Sequence, residues 1–164
     1  MSYTLYFDGA CLNGNPGGIA IASWVINRPA PWSVLLEEGA KEVCRGAGAT
    51  NNVAEWAGLC HGLTALSDYT RGAIEIRGDS QLVIYQLTGR FRVKKQHLKP
   101  WKNKAMATLK LFRSWNAEYI PRRFNEHADR VGKDMFRHLA ETDGHKTMAK
   151  YDHYQGGGGP YKQL

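Results

Sequence analysis

Alternation of side chains marks the first element of this 164-residue chain. Residues 3–8, YTLYFD, alternate with a period of two and are rich in aromatic side chains, so they predict a β-strand ending at Asp8. Turn signals follow at Asn13-Gly14 and in NPGG over 15–18, and then a second apolar run over 19–26. With a less regular third strand over 33–44, the spacing predicts a three-stranded antiparallel meander.

The following part of the chain alternates between helical and strand patterns. Apolar periodicity predicts helices over about 50–67, from about 80 onward, over 97–115 and over 125–140. Short strands are predicted at 73–78 and 116–120. Because strands joined through helices are expected to run parallel, the pattern predicts an α/β fold. Its one five-stranded mixed sheet has three antiparallel strands and then two parallel ones, flanked by helices.

The end of the chain shows a change of pattern near residue 140. The last predicted helix places an apolar stripe on its inward face, namely Ala128, Val131, Gly132, Met135 and Leu139. Beyond it the periodicity is lost, and four consecutive glycines at 156–159 are typical of a flexible linker. We therefore expect one folded domain over 1–140 and a flexible Gly-rich C-terminal tail over 141–164.

Composition narrows the class of protein. The length suits one domain, and a hydrophobic fraction of 43% with five Trp indicates a packed core. No apolar run approaches the ~20 residues of a membrane span, and we expect no signal peptide. The three cysteines are odd in number and widely spaced, which fits a reducing compartment better than a zinc site. We expect a cytoplasmic monomer that does not bind membranes.

Positive charge is concentrated in one segment. The net charge is +7, yet residues 80–117 contain no Asp or Glu. The same segment holds nine basic residues: Arg90, Arg92, Lys94, Lys95, Lys99, Lys102, Lys104, Lys110 and Arg113. A block of one sign predicts a polyanionic partner, although a basic face that serves only solubility is the alternative.

Four carboxylates lie on separate predicted elements. Asp8 ends the first strand, Glu55 lies in the first helix, and Asp79 follows the fourth strand, where α/β proteins place ligands. Asp129 lies one turn into the last helix. Each has a structural alternative: Asp8 could cap a turn, Glu55 could interact with the helix dipole, and Asp79 could cap a helix.

Five short motifs in this order resemble type I ribonuclease H. The motifs are Asp8-Gly9-Ala10-Cys11, Asn15-Pro16-Gly17, Thr50-Asn51-Asn52 with Glu55, Gly78-Asp79-Ser80-Gln81, and Asn125 with Asp129 four residues later. They span nearly the whole of the predicted domain, and each lies on the matching element. The resemblance implies the three-layer ribonuclease H-like fold for residues 1–140, which would then be a catalytic domain.

The resemblance also implies an activity and a metal. The family's catalytic, metal-binding carboxylates carry over to Asp8, Glu55, Asp79 and Asp129. The implied reaction is endonucleolytic hydrolysis of the RNA strand in an RNA–DNA hybrid, leaving 3′-hydroxyl and 5′-phosphate ends. Two Mg²⁺ ions about 3.5–4 Å apart can activate the water and stabilise the leaving oxygen, with Mn²⁺ as a possible substitute.

Further residues carry over as substrate contacts. Asn15, Asn52 and Gln81 match family positions at the minor groove of the hybrid, where 2′-hydroxyls are displayed. Thr50 matches part of a DNA-phosphate pocket at a helix N-terminus. Turn and cap chemistry is the alternative for the asparagines. The remaining expected substrate contacts are Arg90, Arg92, Lys94, Lys95, Arg122, Arg123 and Asn125.

Two departures from the family pattern stand out. Residues 88–98 are too short for the basic helix that many members use as a substrate handle, so the loop over 90–95 is expected to replace it in part. The loop over 120–124 lacks the histidine that many members carry there, and His127 is not expected to take its place. A binding module without catalysis and a strand-transferring or junction-cleaving enzyme of the same superfamily are the competing functions.

Overall fold

The computed structural model describes residues 1–143, with side chains up to residue 142. Its five strands are β1 (Tyr3–Leu12), β2 (Ile19–Asn27), β3 (Leu35–Arg45), β4 (Ala73–Gly78) and β5 (Ser114–Tyr119). Its four helices are α1 (Asn51–Leu66), α2 (Gln81–Leu87), α3 (Lys99–Leu109) and α4 (Glu126–Asp143). Short 3₁₀ turns occupy Gln96–Leu98 and Arg122–Phe124. Apart from the last turn of α4, the predicted tail over 141–164 lies outside the described residues.

The strands form the mixed sheet that the sequence predicts. The strand order is β3-β2-β1-β4-β5, with antiparallel pairing of β1, β2 and β3. β4 pairs parallel to both β1 and β5. Helix α1 packs over one face with α2 and α3, and α4 packs over the opposite face. The predicted three-layer arrangement is therefore confirmed.

Strand β1 is longer than expected, because it continues past Asp8 to Leu12. Its pairing with β2 extends from Thr4 opposite Asn27 to Leu12 opposite Ile19. On its other edge the pairing with β4 stops at Phe7 opposite Gly78. Beyond the end of β4, the Cys11 amide donates to Asn51 Oδ1 at 2.7 Å. A side chain therefore provides the hydrogen-bond acceptor that β4 no longer offers to this edge of β1. Asp8 therefore lies in mid-strand, one residue beyond the end of the β4 ladder.

Two hydrophobic clusters separate the layers. The larger cluster lies between the sheet and α1–α3 and includes Phe7, Trp56 and Ile76, all fully buried. The smaller cluster lies under α4 and joins Phe136 to Leu12, Ile19 and Ile21. Among the described helices, none is both long and apolar enough to cross a bilayer.

Two helix predictions are corrected by the structure. The helix expected over 97–115 ends at Leu109, and Trp115 lies in β5, where it packs with Ala117 on the main core. Helix α4 extends to Asp143, and the predicted stripe omitted its main anchor, Phe136. Phe136 lies four residues after Gly132 on the inward face of α4, where it is fully buried against Leu12, Ile19 and Ile21.

Helix α1 touches β1 backbone to backbone beside Asp8. A Cβ atom at Gly58 would lie 2.3 Å from the Asp8 carbonyl oxygen, and one at Gly9 would lie 2.2 Å from the Glu55 amide nitrogen. Real Cβ atoms do not approach backbone so closely, so both positions require glycine. The glycines thus set the separation between the strand that carries Asp8 and the helix that carries Glu55.

We predict that Gly58→Ala destabilises the protein by about 1–3 kcal/mol, the usual cost of overpacking a core. The clash outweighs the ~1 kcal/mol that alanine gains over glycine in a helix interior. The measurement is urea-induced unfolding, with Gly48→Ala as the matched control, since a Cβ there meets nothing within 4 Å. Equal stability of the two variants would contradict the proposed contact.

Candidate active site

Asp8 and Asp79 lie on neighbouring strands. They directly follow Phe7 and Gly78, which face each other in the parallel β1–β4 register. Asp8 is buried, with 3% of its surface exposed. Asp79 does not cap α2, because Ser80 is the N-cap and its hydroxyl accepts from the Val83 amide at 3.2 Å. The alternative of a capping Asp79 is thereby removed, and its carboxylate lies beside β1.

Asn125 joins these two strands to the start of α4. Its Nδ2 group donates to the Phe7 carbonyl at 2.9 Å and to Asp79 Oδ1 at 3.3 Å. The residue is 1% exposed and both bonds are made within the protein, so its expected contact with substrate stays a prediction. Its side chain also does not cap α4, because a cap accepts through Oδ1, and this buried oxygen has no hydrogen-bond partner within the described residues. Asn125 is therefore a positioning residue for the Asp79 carboxylate.

Glu55 reaches the same region from α1. Thr50 caps this helix as expected, accepting from the Val53 amide at 3.1 Å. The Glu55 backbone packs on Gly9, next to Asp8, and the side chain is 3% exposed. Two acidic side chains are thus buried at the contact of α1 with β1. Burial of acids is costly unless their charge is compensated, which is typical of functional sites.

Asp129 approaches from the opposite face of the sheet. The buried Ser23 hydroxyl of β2 donates to the Ala128 carbonyl at 2.7 Å and so ties α4 to the strand opposite Asp8. Asp8 and Asp129 line one small cavity together with Lys133. The Lys133 ammonium lies 3.0 Å from Asp129 Oδ2. Glu55, Asp79 and Asp129 thus each lie on, or directly follow, an element that contacts β1 near Asp8.

The donor set of this region suits a hard cation. Its four charged candidates are all carboxylates, and oxygen is the ligand that Mg²⁺ prefers. Within the described part of the chain, no three His, Cys, Asp or Glu side chains form a ready-made metal cage. Mg²⁺ usually binds through one or two carboxylates, waters and substrate phosphates, so an open arrangement fits it better than a closed cage would.

Two predicted substrate contacts, Asn15 in the β1–β2 turn and Thr50 at the N-cap of α1, lie beside each other. Asn15 is exposed, and its Oδ1 accepts from the Asn51 amide at 3.1 Å, which fixes it beside Thr50. Asn51 itself is 2% exposed and binds the Cys11 amide. Sequence reasoning missed this clamp, although Asn51 stands in the Thr-Asn-Asn motif. The structure thus brings Asn15 and Thr50 together and assigns Asn51 to their positioning.

A groove of about 480 Å³ connects Asn52 to the loop over residues 90–95, which we call the basic loop. We call the groove the basic groove; the residues relevant here are Asn52, Gln86, Arg90, Arg92, Lys94 and Lys95. Arg90 stacks over the Tyr85 ring at 4.1 Å from its centroid, and Phe91 packs edge-on against that ring. Gln81 is exposed and donates to the Tyr85 hydroxyl at 3.3 Å. Tyr85 therefore contacts both the loop over 90–95 and Gln81, which is a predicted contact to the minor groove of the hybrid.

The segment before α4 carries two arginines and the neighbouring His127. Arg122 is half-buried, and exposed Arg123 packs over the Phe124 ring at 4.8 Å from its centroid. His127 Nε2 lies 2.5 Å from Glu38 Oε2 on β3. The imidazole is thus held by a carboxylate on the edge strand, as expected of a histidine that does not face Asp129.

The cysteines lack the properties of catalytic nucleophiles. All three are free thiols. Burial raises the pKa of Cys60 to about 12, although the nearby Lys104 opposes this shift. Burial is also the main cause of a raised pKa at Cys11 and Cys44. Thiolate chemistry at neutral pH is therefore disfavoured at each of them.

Comparison with known proteins agrees with this geometry. The pattern of the reverse transcriptase-like family matches residues 7–135. The chain is 38% identical over 129 residues to ribonuclease HI of Halobacterium salinarum, covering 79% of this chain and 61% of that protein. The chain thus spans about three-fifths of the length of this curated relative.

Solved structures share both fold and sequence with the chain. RNase H1 of the halophilic archaeon Halobacterium salinarum superposes with a TM-score of 0.74 and 36% identity, over 82% of this chain and 96% of that one. LC11-RNase H1, solved in complex with an RNA/DNA hybrid, gives a TM-score of 0.72 and 28% identity, over 81% and 95% of the two chains. On the family pattern, the shared fold and these identities, the chain belongs to the type I ribonuclease H family.

Proposed function

We propose that this protein is a metal-dependent endoribonuclease that hydrolyses the RNA strand of RNA–DNA hybrids. One observation supports the proposal: Asp8 and Asp79 follow paired residues of β1 and β4, the Glu55 backbone packs on Gly9 from one face of the sheet, and Asp129 shares a small cavity with Asp8 from the other. Similarity to RNase H1 proteins, one of them solved with an RNA/DNA hybrid, supports the substrate.

Asp8, Glu55, Asp79 and Asp129 are the residues that would hold the metal, which we propose to be Mg²⁺, with Mn²⁺ as a substitute. When bound, two such ions would supply an activated water and stabilise the leaving oxygen, giving 3′-hydroxyl and 5′-phosphate ends. The protein would work in the cytoplasm, where its three free cysteines remain reduced. The monomeric state stays a prediction.

The chain's own residues would orient and bind the hybrid. Asn125 holds Asp79 in place, and Ser23 fixes the start of α4. Asn15, Asn52 and Gln81 would contact the minor groove, and Thr50 a DNA phosphate, at the N-terminal end of α1. The basic loop would add charge-based affinity that does not read sequence, and Arg122 and Arg123 would hold the scissile phosphate.

The direct test incubates the protein with end-labelled RNA–DNA hybrid, duplex DNA and duplex RNA, each with Mg²⁺, Mn²⁺ or EDTA. We expect internal cuts in the RNA of the hybrid only, and only with metal. Hybrid binding without cleavage would favour a module that has lost catalysis. Cleavage of duplex DNA would favour a strand-transferring or junction-cleaving enzyme.

We predict that Asp79→Asn and Asp8→Asn each lower the hydrolysis rate by at least roughly 10²-fold, since losing a metal ligand exceeds the 10–100-fold cost of losing a group that orients one. Circular dichroism should show a folded protein in both cases. The measurement is single-turnover cleavage of the hybrid, with exposed Asp68→Asn as a charge-matched control. Full activity of Asp79→Asn would refute the assignment.

We predict that replacing Arg90, Arg92, Lys94 and Lys95 with Ala raises KM and flattens the salt dependence of hybrid binding. Each lost phosphate contact should reduce the log–log salt slope by about 0.9 on B-form DNA, and by a somewhat different amount on a hybrid. The control replaces Lys99, Lys102, Lys110 and Arg113, which removes the same charge outside the basic groove. Equal slopes in the two variants would show that the loop does not face substrate.

We predict that His127→Ala keeps most of the hydrolysis rate, because His127 contacts Glu38 on β3. The double change of Arg122 and Arg123 to Ala should lose more, since charge-assisted donors to the scissile phosphate would be removed. Single-turnover rates at saturating hybrid compare the variants. A loss on the order of 10²-fold in His127→Ala, as for a general acid or base, would contradict this interpretation.

A further inference from the structure

The floor of the basic groove contains a buried amide side chain. Gln86 lies in α2 and is 5% exposed, although it lines a groove rimmed by four cationic side chains. Its neighbour in the groove is Asn52, from the first turn of α1. A buried polar side chain is costly unless its hydrogen bonds are made, so the partners of Gln86 are informative.

Trp56 fixes the orientation of the Gln86 amide. The Trp56 indole Nε1 lies 3.2 Å from Gln86 Oε1, and Trp56 is fully buried. An indole N–H can only donate, so the amide atom facing it must be the oxygen. The Gln86 NH₂ group therefore points away from Trp56, and two donors are left at the groove side.

Two polar groups in this groove lack a protein partner. Within residues 1–142, the only hydrogen bond of the Gln86 side chain is the one that Oε1 accepts from Trp56. The Nε2 donors of Gln86 therefore have no partner in this part of the chain. In the same part of the chain, Asn52 Oδ1 is buried without a hydrogen-bond partner. None of the groove's lining residues is acidic. A fixed donor amid Arg and Lys side chains matches an anionic oxygen.

We propose that Gln86 is a substrate-binding residue whose Nε2 group donates to a backbone phosphate of the hybrid. The inference deepens the proposed function and rests on it, since the hybrid supplies the phosphate. The basic loop would provide the charge and Gln86 the oriented hydrogen bond, which fixes where one phosphate sits. Trp56 acts through Gln86 and is a positioning residue.

The first test is Gln86→Glu. The carboxylate keeps an oxygen to accept from Trp56 but presents an acceptor to the phosphate in place of a donor. Affinity for the hybrid, measured by fluorescence anisotropy in EDTA, should fall about 10- to 100-fold, the range for a hydrogen bond to a charged group. Ala107→Glu, on the exposed side of α3, adds the same charge away from the groove and should bind like wild type.

The second test identifies the phosphate by comparing wild type with Gln86→Glu at each position along the backbone. Single neutral methylphosphonate linkages are placed in turn along the DNA strand and along the RNA strand. At one position, the neutral linkage should weaken binding by wild type but have little or no effect on binding by Gln86→Glu. The reason is that the variant has already lost the contact to that phosphate. The strand in which that linkage lies shows which backbone the residue binds.

The outcomes separate this inference from the proposed function. If Gln86→Glu binds like Ala107→Glu, or if no linkage in either strand shows coupling, Gln86 is not a phosphate contact even when wild type cleaves the hybrid. If wild type neither binds nor cleaves the hybrid, the proposed function itself fails. A coupled linkage together with the affinity loss supports the proposal.

Discussion

The backbone contact between α1 and β1 at Gly9 and Gly58 is the constraint on which the site depends. It lets the helix lie directly on the strand, with distances that any side chain would prevent. As a result Glu55 is buried next to Asp8, and Thr50 at the same helix end is placed beside the exposed Asn15. Metal-binding and substrate-binding groups are therefore positioned by one packing contact.

Hydrogen bonds from two side chains, Asn125 and Ser23, extend this arrangement to the other elements. Asn125 links the Phe7 carbonyl and the Asp79 carboxylate, so β4 and the start of α4 are held to β1. Ser23 holds the Ala128 carbonyl, one residue before Asp129. The bond from Ser23 to Ala128 and the bond from Asn125 to Phe7 are buried. A buried hydrogen bond is strong, and its loss leaves a polar group without a partner. Asp8, Glu55 and Asp129 thus lie in a strand or a helix, and Asp79 lies in the short connection that directly follows β4.

The sequence was sufficient for the sheet and the order of elements, because periodicity and spaced motifs are local signals, and the four carboxylates stay a prediction of a metal site. It was insufficient where a residue's role depends on distant partners. Asn125 reads as a helix cap, yet its amide binds β1 across 118 residues of sequence. Likewise, β1 continues past Asp8, where Asn51 accepts the hydrogen bond of the Cys11 amide at the strand edge. The orientation of the Gln86 amide depends on Trp56, which lies 30 residues away in the sequence.

The most direct test of the account is whether a divalent cation binds at Asp8. Paramagnetic Mn²⁺ broadens the NMR signals of nearby nuclei, so a titration of the free protein maps the site without relying on activity. We expect selective loss of the amide signals around Asp8, Glu55, Asp79 and Asp129, reversed by excess Mg²⁺. Broadening elsewhere, or none at millimolar Mn²⁺, would contradict the assignment of these carboxylates as the metal-binding site.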